Sequence, residues 1–305
     1  MTNREPDLSV TIAGVKLRNP VIAASGTFGF GEEYEGLVDI AALGGICTKG
    51  LTLGSRPGNP GRRITETPAG MMNSIGLENP GIPAFLENEL ARMKSLGPAV
   101  IANLSGSTVE EYVQGALMLG TSAVDMIELN ISCPNVKAGG MAFGLDPEAA
   151  ANVTRQVRKA AKNKPLMVKL SPNAPDLAAV ARSCVAAGAD ALSLVNTFKA
   201  AAIDIKRRRP VFDNISAGLS GPAIRPIAVR MVWEMYEAVK VPIVGMGGIT
   251  SAGDALEFLL AGAKAVQVGS ATFAHPALMN EIVTGIRDYM KEKGFAFTNR
   301  LSIRQ

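Results

Sequence analysis

The chain has 305 residues, 47% of them hydrophobic and 19% charged, with a formal net charge of +4. That length and apolar content allow a large core, and the mild, dispersed charge gives no reason to expect a nucleic-acid partner. No apolar run approaches the roughly 20 residues of a membrane span, and Met1–Pro6 is polar with no signal-type segment behind it, so a cytoplasmic protein is expected.

Taken in chain order, Leu8–Leu17 reads as a hairpin around Ala13-Gly14, placed as a plug under whatever follows. Short, continuous apolar runs then recur at Pro20–Ala24, Gly45–Thr48, Ala99–Asn103, Met126–Asn130, Leu166–Leu170, Ala191–Val195, Ile243–Gly245 and Ala265–Val268. Runs without alternation suit parallel strands covered on both faces. Between them lie amphipathic stretches, among them Pro83–Leu96, Val109–Gly120, Pro147–Ala161, Asp176–Ala187 and Ala223–Val239. Strand and helix alternating in this way predict an α/β fold, a (β/α)₈ TIM barrel forming one domain over 1–305. A doubly wound open sheet is the runner-up, disfavoured because no G-x-G-x-x-G follows a strand; Gly26-Thr27-Phe28-Gly29-Phe30-Gly31 has the wrong spacing. Two connections exceed a minimal barrel unit, Leu51–Ile82 and Lys199–Leu219, and long excursions at the carboxyl ends of barrel strands usually build or cover a site.

The cysteines, Cys47, Cys133 and Cys184, are odd in number and far apart, which opposes a disulfide framework. None forms a CxxC pair, so the chain cannot itself supply the thiolates of a standard iron–sulfur cluster, and no metal site is expected. Cys133 differs from the others in its neighbours. In Asn130-Ile131-Ser132-Cys133-Pro134-Asn135, proline ends the strand and carboxamides flank the thiol, which suits an active-site rim. Cys47 and Cys184 lack such neighbours and read as structural.

Chemistry in a barrel gathers at the carboxyl ends of the strands. Those positions are Ser25, Lys49, Asn103, Asn130, Lys169 and Asn196, then Gly247-Gly248 and Gly269-Ser270 after the last strands. The glycine turns suit a phosphate site, with Gly221 as a further close approach. Dry, unpaired lysines are costly, so Lys49 and Lys169 suggest an anionic ligand, for which flavin mononucleotide fits. The carboxamides suit a planar, amide-like substrate stacked on its ring.

Together Asn-x-x-Cys-Pro-Asn at 130–135, Thr48-Lys49-Gly50, Asn73-Ser74-Ile75-Gly76-Leu77 and Val195-Asn196-Thr197 resemble the catalytic chain of the class 1 dihydroorotate dehydrogenases over nearly the whole length. Gly139-Gly140-Met141-Ala142-Phe143-Gly144 and Ala202-Ile203-Asp204-Ile205 look more like the NAD-linked 1B branch than the fumarate-linked 1A branch. The resemblance implies oxidation of (S)-dihydroorotate to orotate in pyrimidine biosynthesis, with Cys133 as base and one FMN per chain as hydride acceptor. It implies that Lys49, Asn73, Ser74, Ile75, Gly76, Leu77, Asn130, Asn196 and Thr197 hold the substrate. Flavin binding would fall to Ser25, Lys49, Gly50, Asn103, Asn130, Lys169, Val195, Gly221, Gly247, Gly248, Gly269 and Ser270. Electrons would leave through a separate partner subunit carrying FAD and a [2Fe–2S] cluster, in a heterotetramer with paired copies of each chain, and reach NAD⁺. The missing dinucleotide fingerprint and cysteine cluster agree with that division. Gly139-Gly140 suggests a lid over the substrate.

Other readings of the same features remain. The 1A type would pass electrons to fumarate as a homodimer without a partner. A flavin-dependent tRNA dihydrouridine synthase also pairs a barrel with Asn-x-x-Cys-Pro, but would need a basic surface and usually an added helical domain. Lys206-Arg207-Arg208-Arg209 reads as a solvated loop or a partner contact, Met71-Met72 as packing under the substrate loop, and His275 as a cap or surface residue.

Overall fold

The computed structural model describes residues 5–132, 140–296, 298 and 301–303. Eight parallel strands close into a barrel in chain order. They are β1 (Val21–Ala23), β2 (Gly45–Cys47), β3 (Ala99–Leu104), β4 (Met126–Asn130), β5 (Leu166–Lys169), β6 (Ala191–Leu194), β7 (Ile243–Met246) and β8 (Ala265–Val268), with β8 pairing back onto β1. Each falls within or against one of the apolar runs in the sequence. A barrel strand contributes alternate residues to its interior and its helix-facing exterior. Thus Ile127 and Leu129 of β4, Val168 of β5 and Val266 of β8 join the outer core against the helices.

The helix starts follow from local chemistry. Thr108, Asp146, Asp176 and Ser251 each accept a hydrogen bond from the backbone N–H three residues on, capping helices Val109–Gly120, Pro147–Ala161, Leu177–Ala186 and Ala252–Leu260. Pro147 occupies the first helical position, where its missing N–H costs nothing. The stretch from Ile82 to Ser95 is interrupted by a π-helical turn at Phe85–Glu89. No helix among the described residues is long and apolar enough to cross a membrane.

The hairpin Val10–Ile12 and Val15–Leu17 turns through Ala13 and Gly14, both at positive φ (49° and 83°), the type I′ geometry that suits a two-residue connection. Its Val10, Ile12 and Leu17 pack against Ile22, Ile101, Met126, Met167 and Val244, the first inward residues of the barrel strands. The hairpin therefore plugs the amino end, as expected.

The two long excursions meet each other. Ile64–Thr67 and Gly70–Asn73 from the first form an antiparallel sheet with Phe198–Ala201 and Ser216–Ser220 from the second. Met72, Phe212 and Ala217 form its small core, so Met72 is packing, as read. The sheet was not legible in the sequence. A further hairpin, Ile203–Asp204 with Arg209–Pro210, carries the basic run on its turn and leaves Ile205 83% exposed.

Candidate active site

The inward residues of the strands form layers, and the layers change character from bottom to top. The lowest is apolar, with Ile101, Met126, Met167 and Ala191. One step up, the same strands present Asn103, Glu128, Lys169 and Ser193, and β8 presents Gln267, all buried. Parallel register sets Asn103 beside Glu128 and Asn130 beside Lys169.

Glu128 is the hub of this layer. Its Oε2 accepts from Asn103 Nδ2 at 2.5 Å and from the Cys47 thiol at 3.2 Å. Oε1 accepts from Ser193 Oγ at 2.8 Å and Gln267 Nε2 at 2.7 Å. Lys169 Nζ lies 3.7 Å from the carboxylate and donates to Ser25 Oγ at 3.0 Å. Burial pushes the Glu128 carboxyl up, but the Lys169 charge and the Gln267, Ser193 and Asn103 donors outweigh it, and the group is held below its ordinary value. The Cys47 thiol is pushed well up, by burial first and then by the neighbouring Glu128 charge. Cys47 and Cys184 are both buried, as their structural reading requires.

Above Glu128 a chain of amides climbs toward the rim. Asn130 Nδ2 donates to Asn103 Oδ1 at 3.2 Å. Ser132 donates to Asn130 Oδ1 through both its N–H and its hydroxyl, at 3.3 and 3.0 Å. Asn196 Nδ2 donates to Ser132 Oγ at 2.7 Å, and Asn196 Oδ1 accepts from Thr197 N–H at 2.7 Å. The backbone carbonyl of Asn130 is fixed by the Tyr112 hydroxyl at 2.7 Å.

The cap sheet supplies the opposite wall. Asn73 Nδ2 reaches the Gly218 carbonyl at 3.4 Å, tying the first excursion to the second. Gly218 sits so close to Thr197 that a Cβ there would lie 2.1 Å from Oγ1. Gly76 (φ 79°) and Leu77 (φ 57°) turn the backbone over the cavity. Ser74 is buried and its hydroxyl accepts from Asn59 and Asn214, so it braces this loop. Lys49 stands at the rim, 4.0 Å from Glu78, which also holds Arg63 at 2.7 Å.

The third side is backbone. Gly247 and Gly248 follow β7 with φ of 124° and 74°, and a Cβ on Gly248 would meet the Gly221 carbonyl at 2.6 Å. Arg225 and Asp254 lock these turns through an ion pair, while Asp254 also accepts from Thr250 N–H at 2.8 Å. At the end of β8, Gly269 has nothing nearer than 3.6 Å to the place of a Cβ, so packing does not explain the glycine.

These walls enclose a cavity of about 560 Å³, within the range of small-molecule sites. Every candidate residue from the sequence lines it except Ser74, which lies behind the wall, and Cys133, which lies outside the described residues along with Gly139 of the expected lid. Gln267, Met246 and Thr250 line it as well and were missed. Glu128 was missed because it sits inside a run read as apolar. The signal was available: a carboxylate in a strand buried on both faces must have a partner. It also corrects the premise that the two lysines are unpaired, since Lys169 pairs with Glu128 and Lys49 with Glu78. His275 ends the short helix Ala271–Ala274, contacts Glu281 at 2.9 Å and is half exposed, as a cap or surface residue should be.

A parallel (β/α)₈ barrel whose carboxyl face gathers carboxamides, lysines and glycine turns around one cavity defines a barrel enzyme of the ligand-at-the-strand-ends type. The dihydroorotate dehydrogenase family model matches residues 7–290, and the chain belongs to that family. It is 58% identical over 290 residues to the dihydroorotate dehydrogenase B (NAD(+)) catalytic subunit of Petrotoga mobilis, covering 95% of this chain and 96% of the relative. It is 53% identical over 298 residues to the same-named protein of Geotalea daltonii, covering 97% of each. With that of Caldicellulosiruptor saccharolyticus it shares 54% over 289 residues, covering 95% of this chain and 96% of the relative. The NAD-linked name is the branch to which the loop motifs pointed.

Proposed function

We propose that this chain oxidises (S)-dihydroorotate to orotate in pyrimidine biosynthesis, as the FMN-binding catalytic subunit of a cytoplasmic, NAD⁺-linked enzyme. The observation that carries the reading is the convergence, in one cavity at the strand ends, of the amides, lysines and glycine turns that the family motifs pick out. The printed names of the relatives support the substrate and the acceptor.

The described residues fit FMN. Gly269 leaves space that a side chain would fill, and the buried Gln267 Oε1 has no hydrogen-bond partner among the described residues. The phosphate would be held by backbone N–H groups at Gly247, Gly248, Gly269 and Ser270, with Gly221 allowing their close approach. Ser25, Gly50, Asn103, Lys169 and Val195 would hold the ring, with Lys49 and Asn130 reaching both flavin and substrate. When bound, the flavin supplies the acceptor for the hydride from C6.

The remaining work falls to side chains. Asn73, Ile75, Gly76, Leu77, Asn130, Asn196 and Thr197 orient the substrate, and Ser74 keeps the 73–77 loop in place. Cys133 takes the proton from C5. The cap sheet excludes water from one side, which strengthens the polar contacts inside. Electrons leave to a partner subunit carrying FAD and a [2Fe–2S] cluster, in a heterotetramer with paired copies of each chain. The word "subunit" in the relatives' names supports such a partner.

Anaerobic titration of the purified yellow protein with dihydroorotate tests the assignment. Stoichiometric bleaching of the flavin is expected, and a flavin-loaded protein that does not bleach would remove dihydroorotate as substrate. Reduction of NAD⁺ by this chain alone would overturn the two-subunit account.

A further inference from the structure

Glu78 and Lys49 both line the cavity, and the backbone under each is fixed. Glu78 follows Leu77, which turns at positive φ, and precedes the buried Asn79. Asn79 Oδ1 accepts from the Thr52 and Gly81 N–H groups at 3.1 and 2.9 Å. Its Nδ2 donates to Thr52 Oγ1 at 2.8 Å and to the Leu77 carbonyl at 2.7 Å. With both hydrogens and both lone pairs engaged, Asn79 pins the strip of chain on which Glu78 stands. On the facing side, Gly50 packs so close to Leu77 that a Cβ would lie 3.0 Å from Cδ2, which fixes the segment carrying Lys49.

A single oxygen of Glu78 serves a pair of cations. Oε2 accepts from Arg63 Nη1 at 2.7 Å and lies 4.0 Å from Lys49 Nζ. The first contact is a hydrogen bond; the second is too long for one, so the lysine keeps its hydrogens for a ligand. Arg63 is itself fastened: its carbonyl accepts from Ser74 N–H at 2.8 Å, and a Cβ on Gly58 would lie 2.9 Å from its Nη1. The carboxylate is thus tied to Arg63 while it faces Lys49.

We propose that Glu78 is a specificity-determining residue, an internal carboxylate that opposes anionic ligands at Lys49, and that Arg63 holds it back far enough for Lys49 to be used. The inference rests on the reading that Lys49 holds dihydroorotate and orotate, both of which carry a carboxylate. Glu78 then limits the affinity for these anions and speeds release of the product. Like charges a few ångströms apart at a part-exposed rim change affinity by about three- to tenfold. Without Arg63, Glu78 is free to close on Lys49 and compete with the ligand directly.

The plainer account makes Arg63–Glu78 a brace between the ends of the first excursion. Loss of either member of a brace leaves orotate binding unchanged or weakens it. An opposing carboxylate gives opposite signs for the pair, and a gain of affinity does not come from damage to the loop.

The experiment is orotate titration of the FMN-loaded protein, read from the flavin absorbance perturbation, with the dissociation rate from rapid mixing. Glu78→Gln is expected to bind orotate about three- to tenfold more tightly and to release it more slowly, the gain shrinking as salt rises from about 0.05 to 0.5 M. Arg63→Gln is expected to bind more weakly than wild type, and Arg63→Gln added to Glu78→Gln to change little, because Arg63 acts through Glu78. Glu66 lines the same cavity without an ion pair to Lys49 among the described residues, so Glu66→Gln is the charge-matched control and should gain less. Glu78→Ala serves if Glu78→Gln does not fold. Unchanged or weaker orotate binding in the Glu78 variant, or an equal gain in Glu66→Gln, overturns the inference. Failure of the wild type itself to bind orotate overturns the proposed substrate instead.

Discussion

Lys169 and Glu128 form a 3.7 Å ion pair inside the barrel, the lysine side chain 5% exposed and the carboxylate fully buried. Removing one member of such a pair leaves the other charge dry, at a cost of about 3–5 kcal/mol. Lys169→Met should therefore lose about that much stability in urea unfolding, since Glu128 stays behind with neutral donors only. Adding Glu128→Gln to Lys169→Met should restore a large part of it, and the double-mutant cycle reads the coupling directly.

The same carboxylate governs the acid limb of stability. Glu128 is held below its ordinary value of 4.5, so its native state releases the proton more readily than the unfolded chain does. Its contribution is complete above 4.5 and is lost as pH falls through the lower native value. Unfolding midpoints should drop as pH falls below about 4.5 in the wild type, and Glu128→Gln should flatten that part of the curve.

Sequence and structure agree where the pattern is local. The barrel strands announce themselves as apolar runs, and Thr108, Asp146 and Asp176 mark helix starts with side-chain caps. The Gly247–Gly248 and Gly269 turns follow from their places after the last strands. The cap sheet was hidden because Ile64–Thr67 alternates exposed and half-buried residues with no apolar face, and its partners come from the other excursion. Glu128 and Gln267 were hidden for a different reason. Both sit on the inward side of strands whose outward residues are Ile, Leu and Val, and a window average absorbs one polar residue into the apolar run.

Gly248 has no tolerance for a side chain. Its φ is 74°, and a Cβ would lie 2.6 Å from the Gly221 carbonyl and 3.0 Å from Arg225 N. Gly221 cannot retreat, because a Cβ there would itself lie 2.5 Å from Gly70 Cα, which shows how closely the turn already abuts the cap sheet. Gly248→Ala should cost about 1–3 kcal/mol of stability and push the turn backbone off its position. The protein should purify with much less flavin, measured as FMN released per chain on denaturation.

Cys47 and Cys184 should be inert in the native protein. Burial pushes the Cys184 thiol up to about 11, and burial with the Glu128 charge pushes Cys47 higher than its ordinary value by a wide margin. Thiolate is the reactive form, so a disulfide reagent at about pH 8 should leave both unmodified until urea is added, as peptide mass mapping would show. A raised native value also means stability that is intact below the unfolded value of 9.0 and lost as pH climbs through the native one. Unfolding midpoints should decline between pH 9.0 and about 11, less steeply in Cys184→Ala.

Cys133→Ser tests the proposed base, because it should separate loss of the proton from loss of the hydride. A free thiol ionises near ~8.5, whereas a serine hydroxyl stays protonated at neutral pH. The substitution changes one atom, so the flavin and substrate contacts assigned to other residues should survive it. Loss of a positioned base costs about 10²–10⁴-fold in rate. Rapid-mixing reduction of the variant by dihydroorotate at pH 7 should slow by that order and recover as pH rises, while orotate binds as in the wild type. Reduction at the wild-type rate would show that the proton leaves through another group, and Cys133 would lose its assigned role.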